Sequence, residues 1–276
     1  MQTRQHLKDD HSSKSSFLSI VLALMITCLL AGFIVKSQDQ QTTVNIFVND
    51  PRPVAQAIRE LEQNCGCVIT YEDPRYLHNS EIVDVTQTVR KDLEKFGPGE
   101  APRVFRPKRG TLALEYSSTP GTKIPINTAD TIQRLLNTHA SGNGAGRFRL
   151  EKDGKTFHVV PITFKDALGN LTPQESLLET SISLPAEERS GAQTLNAICA
   201  AITGQSQASV NIGTFPLNLF LQYHDIGAVR PDKAKNVLSG LLESVDPSGH
   251  LSWRLLNEPG TNNYVLNIHR VPALSR

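Results

Sequence analysis

An α+β fold is what the sequence predicts, as two related modules ordered strand, helix, strand, strand, helix, hairpin behind one N-terminal transmembrane helix. Three observations carry that expectation. The pattern Leu112-x-Leu114-x-Tyr116 recurs 107 residues later as Leu219, Leu221 and Tyr223. Each copy precedes an amphipathic helical stretch and then an aromatic-Arg-Leu hairpin, Phe148-Arg149-Leu150 in one case and Trp253-Arg254-Leu255 in the other. Residues 17–35 form an apolar run, Phe17 to Val35, of 19 residues without a charge, about the length that crosses a hydrocarbon layer of roughly 30 Å as a helix.

Arg4, Lys8 and Lys14 precede the apolar run and only Lys36 follows closely. That bias keeps residues 1–16 in the cytoplasm and exports the rest. The run exceeds the roughly 7 to 15 apolar residues of a cleaved signal peptide, so a membrane anchor with an exported C-terminal part is the reading. Secretion after cleavage near Ser37 is the alternative. Either way residues 38–276 leave the cytoplasm.

The elements follow in order. Beyond a polar linker at Ser37 to Thr43, Val44 to Val48 alternates as a strand. Asp50 is placed to cap a helix beginning at Pro51, with Val54, Ile58 and Leu61 on one face and Gly66 as its stop. Val68 to Tyr71 is the next strand and Leu112 to Tyr116 the third. Asn127 then caps a helix bearing Ile132, Leu135 and Leu136, and Phe148 to Leu150 pairs with Phe157 to Val160 across Asp153-Gly154. This first module covers residues 44–165.

The second module, residues 176–271, is read as strand Glu179 to Leu184, a helix with Leu195, Ile198, Cys199 and Ile202, strand Val210 to Ile212, and strand Leu219 to Tyr223. A helix with Ala234, Val237, Leu238, Leu241, Leu242 and Val245 on one stripe follows, then the hairpin Trp253 to Leu256 with Tyr264 to Ile268 around Pro259-Gly260. Trp253 and its counterparts are expected to pack sheet against helix.

The modules differ most between Tyr71 and Leu112, where 40 residues stand against six between Ile212 and Leu219. The resulting insertion, within residues 72–111, carries Ile82, Val85, Val89, Leu93 and Phe96 at helix-like spacing and ends in a basic stretch. Additions that a fold does not require sit on surfaces and often carry contacts. Tyr76, His78, Arg103, Arg106 and Arg109 are therefore the candidate partner-binding residues, although a short basic run with prolines is also what a plain solvated loop looks like.

With 28 Lys and Arg against 27 Asp and Glu, the chain lacks the positive excess of a nucleic-acid binder. No catalytic residue, cofactor or metal site is expected. The eight histidines are scattered, and none has a ligand neighbour at metal spacing. Gly142-Asn143-Gly144-Ala145-Gly146 follows a helix and opens a strand, the reverse of a phosphate loop, and reads as a flexible connector. Adjacent Glu72 and Asp73 point to opposite sides of an extended segment and read as a solvated turn. A hydrolase assembled from Glu72, Asp73, His78 and His224 is the rival to a binding role. Of the exported cysteines, Cys199 is the expected disulfide partner of Cys65 or Cys67, with buried free thiols equally open.

Val44-Asn45-Ile46-Phe47-Val48, Pro53-Val54-Ala55-Gln56-Ala57-Ile58-Arg59-Glu60-Leu61, Gly66 and Val68-Ile69-Thr70-Tyr71 resemble the short N-terminal domain of secretins and TonB-dependent receptors. The resemblance implies strand, helix and strand, a bacterial envelope location, and a role in protein contact. The rest of the chain is similar to exported bacterial proteins for which the resemblance implies no activity. The expectation is a membrane-anchored extracytoplasmic binding or scaffold protein, not an enzyme, whose partner is an envelope protein.

Overall fold

The computed structural model describes residues 42–274 apart from Pro98, Asn143, Ile226 and the side chain of Asp225. The apolar run 17–35, the tail before it and Cys28 lie outside the described residues. Among the described residues no helix is long and apolar enough to cross a membrane.

Alternation sets the first half. Strand β1 (Thr42–Asp50) buries Ile46 and Val48 and pairs antiparallel with β3 (Gly110–Ser118), which buries Leu112, Leu114 and Tyr116. Between them run α1 (Pro53–Cys65) and β2 (Ile69–Glu72). Gly66 closes α1 at φ +60°, a conformation that costs glycine nothing. Helix α1 starts at Pro53, not at Pro51, because a residue before proline is disfavoured in the helical region. Arg52 stays outside the helix, and Asp50 accepts its N–H at 2.8 Å instead of capping α1. Helix α2 (Thr128–Ser141) is capped by Asn127. The hairpin β4 (Arg147–Asp153) and β5 (Thr156–Lys165) turns at Gly154, φ +54°.

The second half contains β6 (Ser181–Leu184), α3 (Gly191–Gln205), β7 (Ser209–Ile212), β8 (Val229–Lys233), α4 (Ala234–Val245), β9 (Leu251–Asn257) and β10 (Asn263–Arg270). Ser190 and Gln193 form a capping box at the start of α3. Glu179, expected as the first residue of a strand, instead ends a 3-10 turn, Leu177–Glu179, that buries Leu178. The expected strand Leu219 to Tyr223 is overturned: Leu217–Gln222 is a short helix. Its buried residue is Phe220, set edge-on to Phe215 at 5.3 Å, while Leu221 faces solvent. The strand partner of β6 is β8 instead, a polar segment held by backbone pairing with an irregularity between Val229 and Asp232.

The longest sheet runs β7–β10–β9–β2–β5–β4, with Leu171–Pro173 also paired to β5. Pair β2 with β5 is parallel, as are β7 with β10 and β9 with β2. In the joint, Arg254 lies beside Tyr71 and Leu255 beside Glu72. Successive positions face opposite sides of a sheet, and the two cores follow that rule. Ile69, Tyr71, Phe157 and Val159 pack on α1, α2 and the β1–β3 pair. Val210, Trp253, Leu255, Tyr264, Leu266 and Ile268 pack on α3, α4 and the β6–β8 pair. The helices of the two halves thus cover opposite faces of one shared sheet, giving layers in the order strands, helices, sheet, helices, strands.

The insertion departs from its expected helical spacing. Ile82–Asp84 pairs antiparallel with Phe105–Pro107, and the helical content between them is a single turn, Thr86–Val89, and a 3-10 turn, Leu93–Lys95. The side chain of Asp84 accepts the Thr86 N–H at 2.9 Å, and the Thr86 hydroxyl accepts the Val104 N–H at 2.8 Å. Such side-chain bonds to backbone compete with a continuous helix.

The cysteine expectation is also corrected. Cys65 and Cys67 form the disulfide, their Cα atoms 5.2 Å apart around Gly66, and Cys199 is free and buried. Cys199 belongs to the core on the opposite face of the sheet from α1, which keeps it from both.

Candidate functional site

The insertion leaves the sheet at Asp73, and its root is fastened by charge and hydrogen bonds. Arg52 Nε donates to Asp73 Oδ2 at 2.6 Å, and the Asn257 N–H donates to the same oxygen at 3.0 Å. Tyr71 donates its hydroxyl to Asp73 Oδ1 at 2.8 Å and Tyr76 donates its own at 3.4 Å. Arg52 also reaches the Asn257 carbonyl at 2.7 Å, and the Tyr76 N–H donates to Asn257 Oδ1 at 3.0 Å. Burial pushes the Asp73 carboxyl up against the pull of Arg52. Burial also opposes the charge on Arg52, but Asp73 holds the guanidinium above its ordinary range.

A groove of about 560 Å³ opens beside this root. One wall is the start of α1 with Pro51, Pro53 and Val54, and another is the end of α2 with Thr138 and His139. Tyr71, Tyr76 and Phe148 add aromatic surface, and Ser80, Glu81, Lys108 and Arg109 come from the insertion. The Lys108 N–H donates to the Glu81 carbonyl at 2.7 Å, tying the two arms of the insertion together at the rim. The side chain of Glu81 is 5% exposed and lies 3.6 Å from Lys165 Nζ. Neither of its oxygens accepts a hydrogen bond among the described residues. Burial raises this carboxyl and Lys165 opposes the rise. An unsatisfied buried acceptor costs roughly 1–3 kcal/mol, so a ligand that donates here regains what folding leaves unmade.

His139 lines the groove from the end of α2. Its Nε2 contacts the Ala145 carbonyl at 3.0 Å, and burial lowers its basicity. The glycine run after α2 is dictated by contact. A Cβ on Gly144 would stand 2.1 Å from the His139 ring, and one on Gly146, at φ +66°, would stand 2.7 Å from Pro74 and from the Thr163 carbonyl. The connector is a close-fitting wall of the groove.

Of the five residues singled out from sequence, the groove gathers Tyr76 and Arg109. Tyr76 is buried, 3% exposed, with Arg52 over its ring at 5.8 Å. It supports the groove from within, which corrects its placement on an outer partner-facing surface. Arg109 is exposed and donates to the Asn49 carbonyl at 3.3 Å. Arg103 and Arg106 are exposed away from the lining, and His78 contacts Ser80 at 2.6 Å outside it. Glu81, Lys165 and His139 are isolated residues in the sequence and Phe148 reads there only as a hairpin residue; the chain's return alone brings the four to one place.

The rival carboxylates are buried, contrary to the solvated turn expected of them. Glu72 faces the second half, accepting from the Ser176 hydroxyl and from the Leu177 N–H at 2.9 Å. Asp73 faces Arg52. No hydrogen bond joins any two of Glu72, Asp73, His78 and the described atoms of His224. No group of three or more His, Cys, Asp or Glu suited to a metal ion occurs among the described residues. Comparison of the chain with protein-family models, with curated proteins and with solved structures yields no match.

Proposed function

We propose that the chain is a membrane-anchored extracytoplasmic binding protein, held at the bacterial inner membrane by residues 17–35. It captures a segment of an envelope partner in the groove at the root of its insertion. The observation that carries this reading is the groove itself: a buried Glu81, ion-paired with Lys165 but accepting no hydrogen bond among the described residues, beneath a cationic rim of Lys108 and Arg109 and flanked by Tyr71, Tyr76 and Phe148. A segment that presents an N–H or amine to Glu81, an apolar side chain to the aromatic wall and an acidic group to the rim satisfies all three surfaces. Aromatic and Arg anchors in a partly desolvated pocket are where binding energy concentrates.

The platform beneath it is two related modules. Paired residues support that relation. Ile69 lies beside Phe157 and Tyr71 beside Val159, while 141 residues after the first of each pair Val210 lies beside Tyr264 and Ile212 beside Leu266. A side chain seven residues upstream accepts the N–H of Ile69, from Glu62, and that of Val210, from Thr203. The free edges of β2 and β9 are used on one another, which leaves β4 and β7 as the outer edges of the sheet. Five of the seven residues in β4 are charged, a pattern that guards an edge from indiscriminate pairing. The groove, not an edge, is therefore the partner's seat.

A photo-reactive residue at Ser80, introduced into the full chain in native membranes, is expected to give one discrete adduct. The same probe at Arg149 on β4 is expected to give none. Adding Lys108→Glu and Arg109→Glu to the Ser80 probe should abolish the adduct; an undiminished adduct would rule the groove out.

A further inference from the structure

On the face of the sheet that carries α1, a second cavity of about 400 Å³ lies where α1 of the first half meets β9 and β10 of the second. Arg59 and Glu62 line it from α1, Arg254 from β9, and Asn267, His269 and Arg270 from β10. The guanidiniums of Arg59 and Arg254 and the His269 imidazole thus stand with one carboxylate, Glu62.

That carboxylate is already fully engaged. Glu62 Oε1 accepts the Ile69 N–H at 3.1 Å, and Oε2 takes Arg254 Nη2 at 2.6 Å and His269 Nε2 at 2.9 Å. Arg254 Nη1 donates to the Ala55 carbonyl at 3.1 Å, but its Nε is buried with no acceptor. Arg59 is exposed, makes no ion pair among the described residues, and sets its charge against Arg254. Arg270 is turned to the other face of the sheet, where it is ion-paired at 3.6 Å with Asp246 just past α4. Donors and positive charge exceed acceptors around the cavity, and like charges brought together beside a buried guanidinium are unfavourable unless an anion intervenes.

We propose that this cavity binds an oxyanion, a carboxylate or phosphate group, between Arg59 and Arg254. Guanidinium forks match the paired oxygens of both groups. The site lies across the joint between the halves, so the bound anion fastens α1 to β9 and stabilises the union of the two cores. It is separate from the partner groove, and it stands or falls independently of the proposed function.

The full chain, purified in detergent, is titrated with inorganic phosphate and separately with citrate while its thermal midpoint is followed. Chloride at matched ionic strength serves as control. A ligand that binds only the folded state raises the midpoint saturably. Saturation with phosphate identifies phosphoryl groups as the ligand, with citrate carboxylates, and with both a site for either oxyanion. Arg59→Glu relieves the repulsion on Arg254, so its unliganded midpoint should not fall, while the saturable rise should be lost; Arg59→Lys, which keeps the charge without the fork, should weaken apparent affinity at least tenfold. Binding heat measured by calorimetry should vanish in Arg59→Glu as well. A rise no larger than chloride gives, or one unchanged in both variants, overturns the proposal.

Discussion

The edges of β2 and β7 begin alike and end differently. Each offers its first outward N–H to a side chain seven residues upstream, Glu62 for Ile69 and Thr203 for Val210. From there they diverge. Glu62 has a second oxygen with which to hold Arg254, and Asp73, just past β2, donates its N–H to the Leu255 carbonyl at 2.8 Å. Thr203 has no charge to offer. The corresponding N–H past β7, that of Thr214, is taken at 2.9 Å by Asn267 Oδ1 from the neighbouring strand. One edge recruits β9; the other is closed by a side chain of its own sheet. Backbone geometry makes both edges competent to pair, and side-chain chemistry decides which one does.

The sharpest way to break this comparison is to equalise the two upstream residues. Glu62→Ala strands the buried Arg254 and is expected to cost about 3–5 kcal/mol, whereas Thr203→Ala removes one neutral acceptor and should cost about 1 kcal/mol. Urea denaturation of both variants measures the difference. Equal losses would mean that the carboxylate has no special part in the joint.

Glu72 sharpens the comparison through pH. Burial pushes its carboxyl from the ordinary 4.5 up to about 7, against the hydrogen bonds from Ser176 and Leu177, while Asp73 and Glu179 add to the rise. A carboxyl raised on folding binds its proton more tightly in the native state. Its contribution is therefore complete below about 4.5 and is lost as pH rises through about 7. The shift corresponds to about 3 kcal/mol. Glu72→Gln should remove that slope from stability measured between these pH values; an unchanged slope would assign it to another group. At the other edge the matching residue is Gly213, where a Cβ would meet Asn267 Oδ1 at 2.3 Å, so no carboxylate could stand there.

Asn267→Val tests the closed edge directly. It frees the Thr214 N–H and hydroxyl, both exposed, and should cost about 1 kcal/mol. Protection of the Thr214 amide from hydrogen exchange should fall while that of Asp73 holds. A uniform change at both would remove the distinction between the edges.

The smallest expected effect is none at all. Burial pushes the Cys199 thiol up to about 12, so an alkylating reagent near neutral pH should leave the native chain unlabelled and react once α3 unfolds. Labelling without unfolding would show that the second core admits solvent.

Most of the α+β framework was legible in the chain because it rests on local periodicity. Val54, Ile58 and Leu61 marked α1, the stripe from Ala234 to Val245 marked α4, and Gly66, Asn127 and Gly154 marked their turns as glycine and asparagine physically must. Strand β8 was not legible, since Val229 to Lys233 carries no apolar alternation and is held by backbone pairing, one ion pair from Lys233 to Glu179 and the packing of Val229. Its absence from the reading let Leu219 to Tyr223 stand in for it. The insertion was recognisable by its length, but its groove was not, because Glu81, His139 and Lys165 are far apart in sequence and none belongs to a pattern.

Sequence by itself determined those helices and strands whose apolar residues recur at a clear period, and which face of each is apolar, because those follow from the spacing of residues a few positions apart. Only the tertiary structure decided that the halves share one sheet with their helices on opposite faces, and that Glu62 meets Arg254 across 192 residues. The physical reason is that a buried charge is tolerable only beside a partner, and partners so distant along the chain leave no trace in its local pattern.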